Sequence, residues 1–177
     1  GHVGRLAAEK NLEFLARAMA QSLRAMPTAF ALIVGEGPVR DAMQSIFAAA
    51  GVAARVRFCG TLQGLLLTCA YKAMDEFVFA SRSETQGLVL LEAMAAGVPV
   101  VALDAAGARE LVADGVNGRL IHGESEEDLS AAMVELANLP AGPRALLRAR
   151  ARKTAEVLSL ERAADRALLS YESLLEN

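Results

Sequence analysis

Four side chains in this sequence have the types and spacing to grip a phosphorylated, hydroxyl-bearing ligand. Glu84 and Glu92 stand eight positions apart within SRSETQGLVLLEAMAAGVP (residues 81–99), with Gly87 and an apolar run between them. Arg5 and Lys10 contribute two cations early in the chain. An ionised carboxylate only accepts hydrogen bonds, which suits paired sugar hydroxyls. Arg meets phosphate oxygens with two parallel N–H groups, whereas Lys acts as a point charge. Taken singly, each of these residues reads as an ordinary surface charge. A shared site requires a fold that brings them together.

The elements around the two carboxylates supply part of that requirement. Residues 77–80, FVFA, read as a short buried strand, because a continuous apolar run with aromatic and β-branched residues is what both-face burial selects. Residues 81–86 then form the loop at its carboxyl end. A helix starting at Gln86 or Gly87 runs until Gly97 and Pro99 stop it. Its first N–H groups and the positive end of its dipole favour a phosphate over the loop. Gly87 has no Cβ, so a ligand can approach the backbone there. Glu92 lies about a turn and a half inside this helix, too far in to cap it.

The rest of the chain repeats the same order. Strands are expected at residues 3–6, 30–34, 55–58, 98–103 and 119–121, and helices at about 11–26, 38–50, 65–73, 107–112 and 125–138. A basic helix follows, carrying Arg144, Arg148, Arg150, Arg152 and Lys153, and a last amphipathic helix is expected at about 160–175. Alternating strands and helices predict an α/β fold, Rossmann-like, with three α/β/α layers and a six-stranded parallel sheet in the order 3-2-1-4-5-6. The reading is of one domain over residues 1–177, with a core over 1–124 and a C-terminal helical tail over 125–177. Ligands of such sheets bind outside the carboxyl ends of strands one and four. Those ends are the Arg5 loop and the Glu84 loop, so Arg5, Lys10 and a helix start are expected to form a diphosphate site.

Composition narrows the alternatives. The chain of 177 residues is 54% hydrophobic, enough for a substantial core. A formal net charge of −3 gives no general attraction for nucleic acid or anionic membrane. The Arg cluster at 144–152 has no interleaved aromatic residues and reads as a solvated helix face, so no nucleic-acid partner is expected. Cys59 and Cys69 fit neither a disulfide framework nor a metal spacing, and His2 and His122 are far apart, so reduced thiols and no metal are expected. Gly35-x-Gly37 reads as an ordinary turn; it lacks the third glycine of a dinucleotide fingerprint and follows the second strand, which argues against NAD. No apolar stretch is long enough to span a bilayer, and a soluble, cytoplasmic domain is expected. Residues 1–4, GHVG, read as the end of a strand already under way, as in a piece of a larger protein.

Five segments in order, GRLAAEKN (4–11), ALIVGEGPVR (31–40), VRFCG (56–60), SRSETQGLVLLEAMAAGVPVVA (81–102) and GARELVADGVNGRLI (107–121), resemble glycosyltransferase family 4. The likeness is to the C-terminal, nucleotide-sugar-binding half of these retaining enzymes of GT-B fold, and it covers roughly residues 3–122. It implies that Glu84 hydrogen-bonds the donor sugar near the reacting carbon and Glu92 the ribose hydroxyls. Arg5 and Lys10 would neutralise the departing diphosphate. Gly87, Leu88 and Val89 would offer N–H groups to the phosphates, and Leu62 would pack on the base.

The implied donor is a UDP- or GDP-sugar, with no metal and no other cofactor. The segment 61–77, TLQGLLLTCAYKAMDEF, departs from the family pattern and leaves the choice of base open, as Gln86 leaves the sugar open. The implied partner is an N-terminal acceptor-binding half of the same enzyme, absent from this sequence, through which a membrane-borne acceptor would be met. Without that half the chain is expected to transfer little sugar. Two rivals stand beside this reading: another GT-B nucleotide-sugar enzyme of epimerase type, and a nucleotide-binding module with no catalysis.

Overall fold

A computed structural model of the chain describes residues 1–83 and 87–158. Its elements are β1 (His2–Val3), α1 (Leu12–Ala25), β2 (Ala31–Val34), α2 (Arg40–Ala49), β3 (Val56–Phe58), α3 (Gly64–Lys72), β4 (Phe77–Phe79), α4 (Leu88–Ala95), β5 (Val100–Leu103), α5 (Ala106–Arg109), β6 (Gly118–Ile121), α6 (Glu126–Ala137) and α7 (Ala141–Val157). The helix expected at 160–175, together with Glu84 and Gln86, lies outside the described residues.

Strand alternation builds three layers. Ile33, Val78, Val101 and Leu103 join one apolar cluster with Leu15 of α1, Phe47 of α2 and Met133 of α6. Their neighbours in the chain, Val34, Phe77, Phe79, Val100 and Ala102, join the other, with Tyr71 of α3, Met94 of α4 and Ala151 of α7. Successive strand side chains point to opposite faces, so an unbroken apolar strand must be covered on both. Burying Phe77 and Phe79 stabilises the fold by about 1.5–3 kcal/mol each. Two C-terminal helices complete the outer layers, α6 against α1 and α7 against α4. Ser125 caps α6 by accepting the Asp128 N–H at 3.0 Å. Arg144, expected on a solvated face, turns its guanidinium back to the carbonyls of Ala137 and Leu139 at the end of α6.

The sheet differs from the expected continuous six-stranded ladder. The strands form two three-stranded parallel sheets, β1-β2-β3 and β4-β5-β6, with a seam between β1 and β4. At the seam the Val78 N–H donates to the Gly1 carbonyl at 2.7 Å. In a parallel register the next bond would run from the Val3 N–H to the Val78 carbonyl. That carbonyl is instead met by Nδ1 of His2 at 3.0 Å. The Gly1 amine also donates to the Glu76 carbonyl at 2.7 Å, so pairing stops after these two bonds of Gly1. The first strand is also shorter than the expected 3–6, because from Gly4 onward the chain runs as a loop beside residues 34–36.

Candidate functional site

Three loops stack at the carboxyl ends of β1, β2 and β3. The Gly4 N–H donates to the Val34 carbonyl at 3.0 Å, Leu6 to Glu36 at 2.9 Å, and Gly35 to Gly60 at 2.7 Å. Gly35 has φ +129°, and a Cβ there would lie 1.8 Å from the Gly4 carbonyl oxygen. Only glycine permits that approach. Gly35-x-Gly37, which reads as an ordinary turn, is thus a point of backbone contact that shapes the cleft. The cleft holds about 300 Å³ and is lined by Val3, Gly4, Arg5, Gly35, Thr61 and Leu62, among others.

Arg5 is 72% exposed along its side chain, and its Nη2 donates to Glu9 Oε1 at 2.5 Å. Lys10 closes a single 3-10 turn, Ala8–Lys10, and is half-buried. Asn11 then takes a left-handed conformation, φ 55°, and leads into α1. The Ser83 hydroxyl donates to the Glu9 carbonyl at 3.4 Å, so the loops after β1 and β4 touch.

Gly87 is buried at the start of α4 with φ +62°. Leu90 and Leu91 both donate to its carbonyl, so the N–H groups of Leu88 and Val89 precede the helical ladder. A Cβ on Gly87 would stand 2.5 Å from Leu111 Cδ1 and 3.2 Å from the Gly107 carbonyl oxygen. The missing Cβ lets the helix start pack against the segment after β5.

Glu92 sits elsewhere. Its Oε2 accepts the Tyr71 hydroxyl at 2.7 Å. Burial, and next the bond to Glu92, push the Tyr71 hydroxyl well above its ordinary pKa. Glu92 lines a groove of about 440 Å³ between α3 and α4, together with Gly64, Leu67 and Tyr71. Leu62 lines the Arg5 cleft and Gly64, two residues on, lines this groove, so the two adjoin along the chain. Arg5 and Leu62 therefore share one cleft, Gly87–Val89 stand at the α4 start, and Glu92 occupies the adjoining groove. Glu84, next to Ser83, is outside the described residues.

Two residues have no signal in the sequence pattern. Tyr71 is one, because its bond to Glu92 joins different helices. His2 is the other: it is 1% exposed, stacked on Phe77 at 6.0 Å and Phe79 at 6.5 Å. A carbonyl only accepts, so His2 carries its proton on Nδ1, toward Val78. Burial pushes its pKa down to about 4, with the Gly1 amine and Lys10 adding charge repulsion. Among the described residues, no three His, Cys, Asp or Glu side chains are grouped to hold a metal. No helix among them is long and apolar enough to cross a membrane. Cys59 and Cys69 are exposed free thiols.

Comparison with known proteins agrees with this architecture. The chain is 42% identical over 118 residues to a sulfoquinovosyl transferase of Arabidopsis thaliana, an alignment covering 67% of this chain and 22% of that protein. It is 36% identical over 182 residues to a D-inositol 3-phosphate glycosyltransferase of Rhodococcus jostii, covering 99% of this chain and 40% of the relative. The crystal structure of Anabaena HepE in complex with UDP and glucose superposes with a TM-score of 0.80 at 28% identity, covering 96% of this chain and 47% of that one. The chain thus spans less than half the length of these proteins, and its fold is the Rossmann-like half of a GT-B enzyme. A family model described as glycosyl transferases group 1 matches residues 1–138. The chain belongs to the group 1 glycosyl transferases.

Proposed function

We propose that the chain is the donor-binding domain of a glycosyltransferase that moves a sugar from a nucleoside diphosphate to an acceptor hydroxyl, with retention at the anomeric carbon. The observation that carries this reading is that Arg5 and Leu62 line one cleft at the carboxyl ends of β1–β3. A guanidinium suits a diphosphate, an apolar side chain beside it suits a base, and the neighbouring α4 start adds N–H groups and a dipole. The structure of HepE with UDP and glucose supports the same ligand class.

In this reading the bond between the anomeric carbon and the β-phosphate oxygen breaks as the bond to the acceptor oxygen forms. The acceptor proton passes to the departing phosphate. Arg5 and Lys10 stabilise the charge that develops on the diphosphate, which is the main catalytic contribution. Glu84 holds the donor sugar, and Glu92 holds the ribose from the adjoining groove. The acceptor-binding half belongs to the remainder of the enzyme.

Calorimetry tests this. One charge-assisted hydrogen bond contributes about 1.5–3 kcal/mol, or about 10- to 150-fold in affinity. UDP or GDP should therefore bind at least about tenfold more tightly than uridine or guanosine. Equal affinity for nucleoside and diphosphate would remove the phosphate site.

A further inference from the structure

His2 stands at the seam where the two sheets part. Its Nδ1–H lies 3.0 Å from the Val78 carbonyl, which the Val3 N–H would meet if pairing continued. In the register of β1 on β2, Gly4 donates to Val34, so the Val3 N–H faces β4. From the Val78 side the imidazole reaches under the cleft: a Cβ on Gly4 would lie 3.4 Å from His2 Nε2. That nitrogen is buried and has no hydrogen-bond partner. Gly4 and Arg5, directly above, line the cleft.

We propose that His2 is a positioning residue for the phosphate-binding loop. By taking the Val78 carbonyl it stops the pairing with β4, made through Gly1, from continuing to Val3, and its ring supports the floor from which Gly4 and Arg5 depart. This inference rests on the reading of the Arg5 cleft as a diphosphate site. Stacking on Phe77 and Phe79 by itself needs no nitrogen. The Nδ1–H on Val78 and the unmet Nε2 beneath Gly4 are what a merely apolar core ring would lack.

The test compares His2→Phe, which keeps a stacking ring, with His2→Asn, whose amide N–H can stand where Nδ1–H does. In His2→Phe the preference for UDP or GDP over the nucleoside should fall about tenfold, while nucleoside binding is unchanged. In His2→Asn it should stay within about threefold of the unmodified chain. An unchanged preference in His2→Phe, or His2→Asn no better than His2→Phe, overturns the role. Hydrogen exchange gives a readout independent of nucleotide. The Val3 amide should gain protection in His2→Phe, as the ladder closes, and no gain overturns the wedge. If the unmodified chain bound no nucleotide, the proposed function would fail, while Val3 exchange would still decide the seam. If His2→Phe does not fold, nitrogen-15 spectra of the unmodified chain decide: protonation at Nδ1 is required, and the opposite tautomer overturns the proposal.

Discussion

The Tyr71 hydroxyl meets Glu92 Oε2 at 2.7 Å, tying α3 to α4 on the wall of the groove beside the Arg5 cleft. Tyr71 is buried and Glu92 exposed, so the bond fixes the rotamer of a carboxylate that otherwise faces solvent. An ordered acceptor loses less entropy when hydroxyls dock on it.

Tyr71→Phe should therefore weaken UDP binding about 2- to 10-fold, the worth of one ordinary hydrogen bond. Glu92→Gln should weaken it more, by about 10-fold or beyond, since a charged acceptor is lost. Neither substitution should affect the affinity of a UDP analogue lacking both ribose hydroxyls. Calorimetry with that analogue decides: an equal loss there assigns Tyr71 and Glu92 to packing.

Arg5 and Glu9 form an exposed pair four residues apart, of a kind that contributes about 0.3–0.5 kcal/mol. Glu9→Gln should move Tm by no more than about 2 °C. It should also tighten UDP binding about twofold by removing the competitor for the Arg5 guanidinium, with the gain shrinking at high salt. A loss of affinity would show that Glu9 itself serves the ligand.

His2 makes stability depend on pH. Its pKa lies at about 4 in the folded chain against an ordinary 6.5, because burial disfavours the charged ring. The unfolded chain binds the proton first, so this stability is present above pH 6.5 and is lost as pH falls toward 4. The loss amounts to about 3 kcal/mol over the whole window. Thermal melts of the unmodified chain and His2→Phe should diverge steadily below pH 6.5, the unmodified chain losing more. Glu76, whose burial pushes its carboxyl up to about 8, titrates in both chains and cancels in the difference. Parallel pH profiles would contradict a buried neutral His2.

Gly35→Ala places a Cβ 1.8 Å from the Gly4 carbonyl oxygen at φ +129°. It should cost about 3 kcal/mol or more and abolish nucleotide binding by pushing apart the loops that form the cleft. Gly64→Ala, at φ +56° with open space around it, should cost only about 1 kcal/mol of backbone strain. Chemical denaturation of the two variants measures the contrast, and similar costs would mean that the loops yield.

The order of elements was legible in the sequence, because burial on one or both faces imposes its period locally. The helix read at 125–138 with Ser125 as its cap is α6, and the apolar runs at 30–34 and 98–103 contain β2 and β5. The five ordered segments, GRLAAEKN through GARELVADGVNGRLI, were enough to place the chain in its family. Arg5 could be named as a candidate from residue type and Leu62 from the family likeness, and folding puts both on one cleft. Three features depended on the tertiary structure alone. The point at which pairing with β4 ends is marked by a hydrogen bond between residues 76 apart, His2 and Val78. The placement of Glu92 in a separate groove rests on Tyr71, 21 residues away. The demand for glycine at position 35 comes from the backbone at Gly4. Periodicity reports which face of an element is buried, but not which distant atom will lie against it; that is decided only when the layers pack.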